Sequence, residues 1–171
     1  MTLQNSSIEM SHKDRLSDTR SLRNLFGCFA SGVTIISSGI KSQIHGMTAN
    51  SFVSVSLDPP LALISVAHST TMHSVLKKNK QFGLSILRND QAHIATHFAG
   101  RPMEGYQPEF SHKGGGVPVL QEALAWMTCA VTESFDVGDH TLFIGQLMDC
   151  NYQEEIDPLL YFNGKYAALS R

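Results

Sequence analysis

Charge is scarce in this chain: 16% of its 171 residues are Asp, Glu, Lys or Arg, and the net charge is −2 with histidine neutral. Such a balance leaves no electrostatic footprint for nucleic acid or an anionic membrane surface, so neither is expected as a partner. Long apolar runs are missing too. No stretch approaches the roughly 18 residues that a membrane-spanning helix needs. Met1–Asp14 is polar and lacks the apolar segment of a secretory leader. Cysteine is sparse: Cys28, Cys129 and Cys150 are far apart, odd in number and without Cys-x-x-Cys spacing. That argues against a disulfide framework or zinc finger and makes a reducing cytoplasm the expected compartment. No Gly-x-Ser-x-Gly elbow, phosphate-loop lysine motif, His-Glu-x-x-His helix or Gly-x-Gly-x-x-Gly fingerprint is present. A dinucleotide, if bound, is therefore not held in the usual doubly wound α/β manner.

Apolar residues make up 42% of the chain, enough for one domain with a substantial core. Residues 1–17 read as a loosely ordered polar arm, and 18–171 as the folded domain. Asp18 is the expected cap of a helix whose Leu22, Leu25, Phe26 and Phe29 share one face, with Gly32 at its end. Val33–Ile36 is β-branched and reads as a strand. Gly46–Leu57 reads as one long strand, with Met47, Ala49, Ser51, Val53, Val55 and Leu57 on one face. Thr48, Asn50, Phe52, Ser54 and Ser56 fall on the other. Asp58-Pro59-Pro60 stops it. Leu61–Val66 is a buried strand, and Ser69 or Thr70 caps a short helix ending near Lys77-Lys78-Asn79. Phe82–Leu87 is a further strand, and Asp90 is expected to cap a helix through Ile94 and Phe98. Gly100–Pro118 reads as a long loop around Gly114-Gly115-Gly116. Two hairpins close the chain, turning at Val137-Gly138-Asp139 and Asn163-Gly164. The sum is a mainly β domain with a few helices, which a closed or split barrel buries most economically.

Thr48, Asn50, Ser51, Ser54 and Ser56 are more hydroxyl and amide groups than a plain core strand needs; presenting a polar ligand with donors and acceptors does need them. Eight histidines are present. His93 and His97 stand at i and i+4 on a helix, a chelating spacing, but no acid or cysteine stands at a matching distance, so no metal site is expected. His68 and His73 flank a helix start and read as capping or surface residues. His140 follows Gly138-Asp139 at a hairpin turn and can project from a rigid β framework; site residue and turn residue both remain open. Cys28 and Cys129 read as buried small hydrophobes, and Trp126 as core.

Five landmarks in order carry a family resemblance. They are Phe29-Ala30-Ser31-Gly32-Val33-Thr34, Met47–Leu61, the paired stretches Gln91–Ala99 and Ala123-Leu124-Ala125-Trp126 counted as one, Gly138-Asp139-His140, and Pro158-Leu159-Leu160-Tyr161. From about Leu22 to Leu169 the chain resembles the short-chain flavin reductases, the small components of two-component flavin-dependent monooxygenases. The resemblance implies a split β-barrel of the FMN-binding type, usually a homodimer. It also implies NADH or NADPH as hydride donor, FMN or FAD as acceptor, and an oxygenase receiving reduced flavin. On the matching positions, Thr48, Ala49, Asn50 and Ser51 would meet the isoalloxazine or ribityl chain, largely through backbone groups, with Gly32, Val33 and Thr34 alongside. Ser65, Val66, Ala67, Ser69, Thr70 and Thr71 would meet the phosphate near a helix N-terminus. Phe98 would pack near the flavin, His140 would line the nicotinamide side as the catalytic position, and Tyr166 would border the same pocket. Two other readings stand beside this one: a flavin carrier or storage protein without nicotinamide-dependent activity, and a metal-binding protein using His93 and His97.

Overall fold

The computed structural model describes residues 12–40 and 43–170. Four helices accompany twelve strands: α1 His12–Ser17, α2 Thr19–Gly27, β1 Ser31–Gly32, β2 Thr34–Ser38, β3 His45–Ala49, β4 Phe52–Leu57, β5 Pro60–Ala67, α3 Thr71–Asn79, β6 Gln81–Ile86, α4 Ala92–Phe98, β7 Phe110–Lys113, β8 Val117–Leu120, β9 Ala125–Val137, β10 His140–Tyr152, β11 Leu160–Phe162 and β12 Lys165–Ala167. Seven strands form the main sheet in the order β3-β2-β6-β9-β10-β5-β4, with β1-β11-β12 and β7-β8 as smaller sheets. No helix among the described residues is long and apolar enough to cross a membrane.

The strand order forces a curl. β3 and β4 are consecutive in sequence yet form opposite edges of the sheet, and only Asn50 and Ser51 link them. Such a link spans about 11 Å at most, whereas the edges of a flat seven-stranded sheet lie about 29 Å apart. The sheet must wrap until its edges nearly meet. They do not pair, so the barrel stays split. The wrapped interior holds Ile36, Ile64, Val66, Phe82, Leu84, Cys129 and Phe143, and α3 plugs it with Met72 and Leu76. A second core, of Val33, Ile35, Leu87, Ile94, Ala95, Leu120 and Leu159, lies under α4. β2 lies between the two cores, which is why all five of its residues are buried. Its serines survive burial because each is bonded: Ser37 Oγ donates to Pro118 O at 2.6 Å and Ser38 Oγ to Gln81 O at 2.7 Å.

Several expectations are corrected. Within the segment read as an arm, residues 12–17 form the short helix α1; residues 1–11 lie outside the described part. Asp18 does cap α2, its carboxylate accepting from the N–H groups of Arg20 and Ser21, but the helix ends at Gly27 rather than at Gly32. Its apolar face is not buried: Leu25, Phe26 and Phe29 are exposed, and so is Cys28. The long strand breaks at Asn50-Ser51, which resets the alternation. Phe52, placed with Thr48 and Asn50 by period, packs instead on the same core as Met47 and Ala49. Gln91, not Asp90, precedes α4; the Asp90 carboxylate pairs with Arg88 at 3.1 Å. The glycine-rich stretch hides the β7–β8 hairpin, turning through a 3-10 turn at Gly114–Gly116. Trp126 is half-buried, with Lys113 Nζ 5.4 Å from its ring centroid.

Candidate functional site

The break at Asn50-Ser51 sits between two groups of residues and ties them together. On one side is a cavity of about 200 Å³ lined by Val33, Thr48, Ala49, Asn50, Ala99, Tyr161 and Tyr166. Five of these seven are residues expected at the site. The two tyrosines, facing each other across the β11–β12 hairpin with ring centroids 5.7 Å apart, supply an aromatic wall. Gly32 lies next to Val33 with open space where a side chain would stand. Ser31, opposite Tyr161 in the β1–β11 pair, carries a buried hydroxyl with no protein partner. Ser31, Ala99 and Tyr161 escaped the sequence reading. All three were legible only as parts of landmarks, and nothing in composition marks an alanine as a wall.

On the other side, β4 stops pairing with β5 at Phe52–Ile64, so Ser65–Ala67 has no strand neighbour on that edge. The side chain of Val66 points into the core, which leaves its backbone as the group it can offer. The chain then turns into α3, where Thr70 is the cap and accepts from the His73 N–H at 3.3 Å. Ser69 and Thr71 are exposed beside it. β10 runs alongside with His140 opposite Ala67, so the residues expected at the phosphate and the one expected at the nicotinamide share one end of the barrel. The Asp139 carboxylate accepts from His140 Nδ1–H at 2.7 Å, and that bond holds the Asp139 carboxyl below the usual carboxylate range. With Nδ1 committed, Nε2 is the nitrogen His140 can offer. Gly138 makes the turn with φ +60°, in the left-handed region that glycine adopts without strain.

Most of the hydroxyls that drew attention are spent internally. Thr34 Oγ1 donates to Ala49 O at 2.8 Å and Thr48 Oγ1 to Ala95 O at 2.7 Å. Ser51 Oγ donates to Ser65 O at 2.8 Å, which fastens the β3–β4 link to β5. Thr70 Oγ1 donates to Ala67 O at 2.8 Å. These side chains build the walls and leave backbone groups to meet a ligand. Phe98 is drawn into packing: its ring lies over Gly46, so close that a β-carbon there would stand 2.4 Å from Cε1, and it meets Phe110 edge-on at 6.0 Å. It supports the cavity from behind β3. A larger cavity of about 400 Å³, between α4 and the β7–β8 hairpin, contains none of the expected site residues.

His93 and His97 are taken up in local packing. His97 Nδ1 accepts the Met103 N–H at 3.1 Å, and both rings pack edge-on against Tyr106. On the two sides of the Asn50-Ser51 link the fold offers an apolar and aromatic slot with an orphan hydroxyl, and an unpaired strand edge leading to a helix N-terminus. A planar heteroaromatic ligand with a phosphate-bearing tail fits that set.

Known proteins share this fold. Residues 26–170 match the family described as flavin reductase like domain. An NADH-dependent flavin reductase of a Rhodococcus species is 40% identical over 151 residues, covering 86% of this chain and 85% of its own. The flavin reductase component of a bacterial two-component tryptophan halogenase superposes with a TM-score of 0.82 at 39% identity, covering 90% of this chain and 99% of that one. An NADH:FAD oxidoreductase of Streptomyces globisporus, solved in complex with NAD and FAD fragments, gives a TM-score of 0.83 at 34% identity, covering 90% and 94%. Match, identity and coverage together settle the relationship: this chain belongs to the flavin reductase like domain family.

Proposed function

We propose that this protein is a flavin reductase that oxidises NADH or NADPH and reduces FMN or FAD as a released substrate for a partner oxygenase. The observation that supports this most directly is the Ser51–Ser65 hydrogen bond. It aligns the aromatic cavity at β3 and β11–β12 with the β5–α3 turn and His140, so one extended ligand can reach all three. The chemistry supplied on binding is hydride transfer from nicotinamide C4 to flavin N5, which belongs to the two cofactors.

The protein's part is positional. Val33, Ala49, Tyr161 and Tyr166 would sandwich a ring system, with Asn50 and neighbouring backbone groups at its polar edge. Ser69, Thr71 and the first N–H groups of α3 would hold the phosphate. His140, with its tautomer fixed by Asp139, would orient the nicotinamide through Nε2 and keep the reacting atoms about 3–3.5 Å apart. No proton transfer is asked of it. We further propose a cytoplasmic homodimer. The apolar face of α2 (Leu25, Phe26 and Phe29) and the outer face of β4 (Val53, Val55 and Leu57) are more apolar surface than a monomer commonly leaves in water.

Following NADH absorbance with FMN or FAD added to the purified protein tests the assignment. Turnover that depends on both nucleotide and flavin is expected. A yellow protein that oxidises neither NADH nor NADPH would make it a flavin carrier and overturn the reading.

A further inference from the structure

His68, on the turn after β5, and His73, in the first turn of α3, aim their Nε2 atoms at one point. Each lies close to the hydroxyl of the buried Thr141, at 3.1 and 2.9 Å respectively. That hydroxyl donates to Asp136 Oδ1 at 2.5 Å, and Asp136 Oδ1 also lies 3.6 Å from His68 Nε2. The two imidazole nitrogens and the carboxylate oxygen all fall within 4.8 Å of one another. We propose that His68, His73 and Asp136 form a binding site for a divalent transition cation of the zinc class.

Zinc bonds to nitrogen and oxygen of about 2.0–2.1 Å put neighbouring ligand atoms of a tetrahedron about 3.4 Å apart. The His68–Asp136 separation is already near that value, and the set closes on an ion with small side-chain motions. The donor set of two imidazoles and one carboxylate suits zinc, cobalt or nickel. Magnesium and calcium prefer all-oxygen sites. The ligands come from three elements fixed by other contacts. His73 is held through its backbone by the Thr70 cap, and its ring packs 6.1 Å from Phe143. The His68 N–H donates to Asp139 O at 2.9 Å. Asp136 lies opposite Thr141 in the β9–β10 pair. The two rings are tilted by 55° rather than stacked, so their edges converge.

In the metal-free form the Thr141 hydroxyl gives its proton to Asp136, and both imidazoles donate Nε2–H to its oxygen. Ligation moves each imidazole proton to Nδ1 and releases none to solvent. One group opposes the cation: Lys77 Nζ stands 3.6 Å from Asp136 Oδ1 on an exposed side chain. It must swing away when the ion enters. The site borders the proposed phosphate position, but its three ligating side chains are not among those assigned to flavin or nicotinamide.

The test is titration of the untagged, chelator-treated full chain with Co²⁺ and with Zn²⁺, followed by visible absorption and calorimetry. Saturation at one ion per chain is expected, with the cobalt spectrum of a tetrahedral nitrogen–oxygen site. His68→Gln and Asp136→Asn change exposed side chains and should each weaken binding at least about tenfold. Lys77→Met should tighten it, a gain that a merely structural cluster would not produce. His93→Gln with His97→Gln should leave the titration unchanged. Absence of saturable binding overturns the proposal. So does binding that survives both His68→Gln and Asp136→Asn, or that disappears with His93 and His97.

Discussion

His140 illustrates how one side chain is prepared by its neighbours. It begins β10 at the rim, and the Asp139 carboxylate takes its Nδ1 proton. The free Nε2 is then an acceptor with a fixed direction, suited to orienting an amide-bearing ring. His140→Ala should lower turnover with NADH on the order of a hundredfold, the scale of a misplaced reactant. Flavin affinity, read by fluorescence quenching, should stay within about a factor of two on the same argument. Unchanged kinetics would remove His140 from the site. The hairpin turn was legible in Gly138-Asp139-His140, whereas the expectation that His140 meets the nicotinamide rested on the family resemblance. The roles of Thr34, Thr48, Ser51 and Thr70 were not legible. A hydroxyl that serves a ligand and one that donates to a carbonyl on a distant element look identical in sequence, and the partners of Thr48 and Ser51 lie 47 and 14 residues away.

At the scale of elements, β3 and α4 depend on a glycine. Gly46 lets the Phe98 ring lie flat across the strand, with no room for a methyl group. Thr48 donates to Ala95 O two residues further along, so β3 and α4 are fixed at two points. Gly46→Ala should displace Phe98 and destabilise the fold by about 1–3 kcal/mol, the usual cost of overpacking. The measurement is the urea midpoint. An unshifted midpoint would show that the ring moves without cost. The strands and both C-terminal hairpins could be read from alternation and turn residues. Two things escaped for physical reasons. The β3–β4 break produces no proline or glycine; only the pull of two sheet edges toward each other explains it. The β7–β8 hairpin is short, and glycine and proline mask its pattern. The face of α2 was read correctly as apolar, but amphipathicity says only that a face seeks cover, not that this chain supplies it.

For the whole molecule, that uncovered face is the main anomaly. Phe29 is 81% exposed, Phe26 71% and Leu57 93%, values that suit a surface shared between copies. Light scattering should give twice the chain mass, and Phe26→Asp combined with Phe29→Asp should shift it toward the single-chain value; a monomeric parent would refute the homodimer. The sheet order bears on synthesis as well. The β2–β3 and β4–β5 hairpins are complete by Ala67, and β6 by Ile86, yet β2–β6 and β5 are hydrogen-bonded into one sheet only through β9 and β10. A growing chain therefore carries two half-sheets with raw inner edges until Ala125–Tyr152 leaves the ribosome, a window open to wrong pairing. The late hairpin then fills both edges at once, so the continuous sheet and the placement of His140 at its rim arrive in the same event.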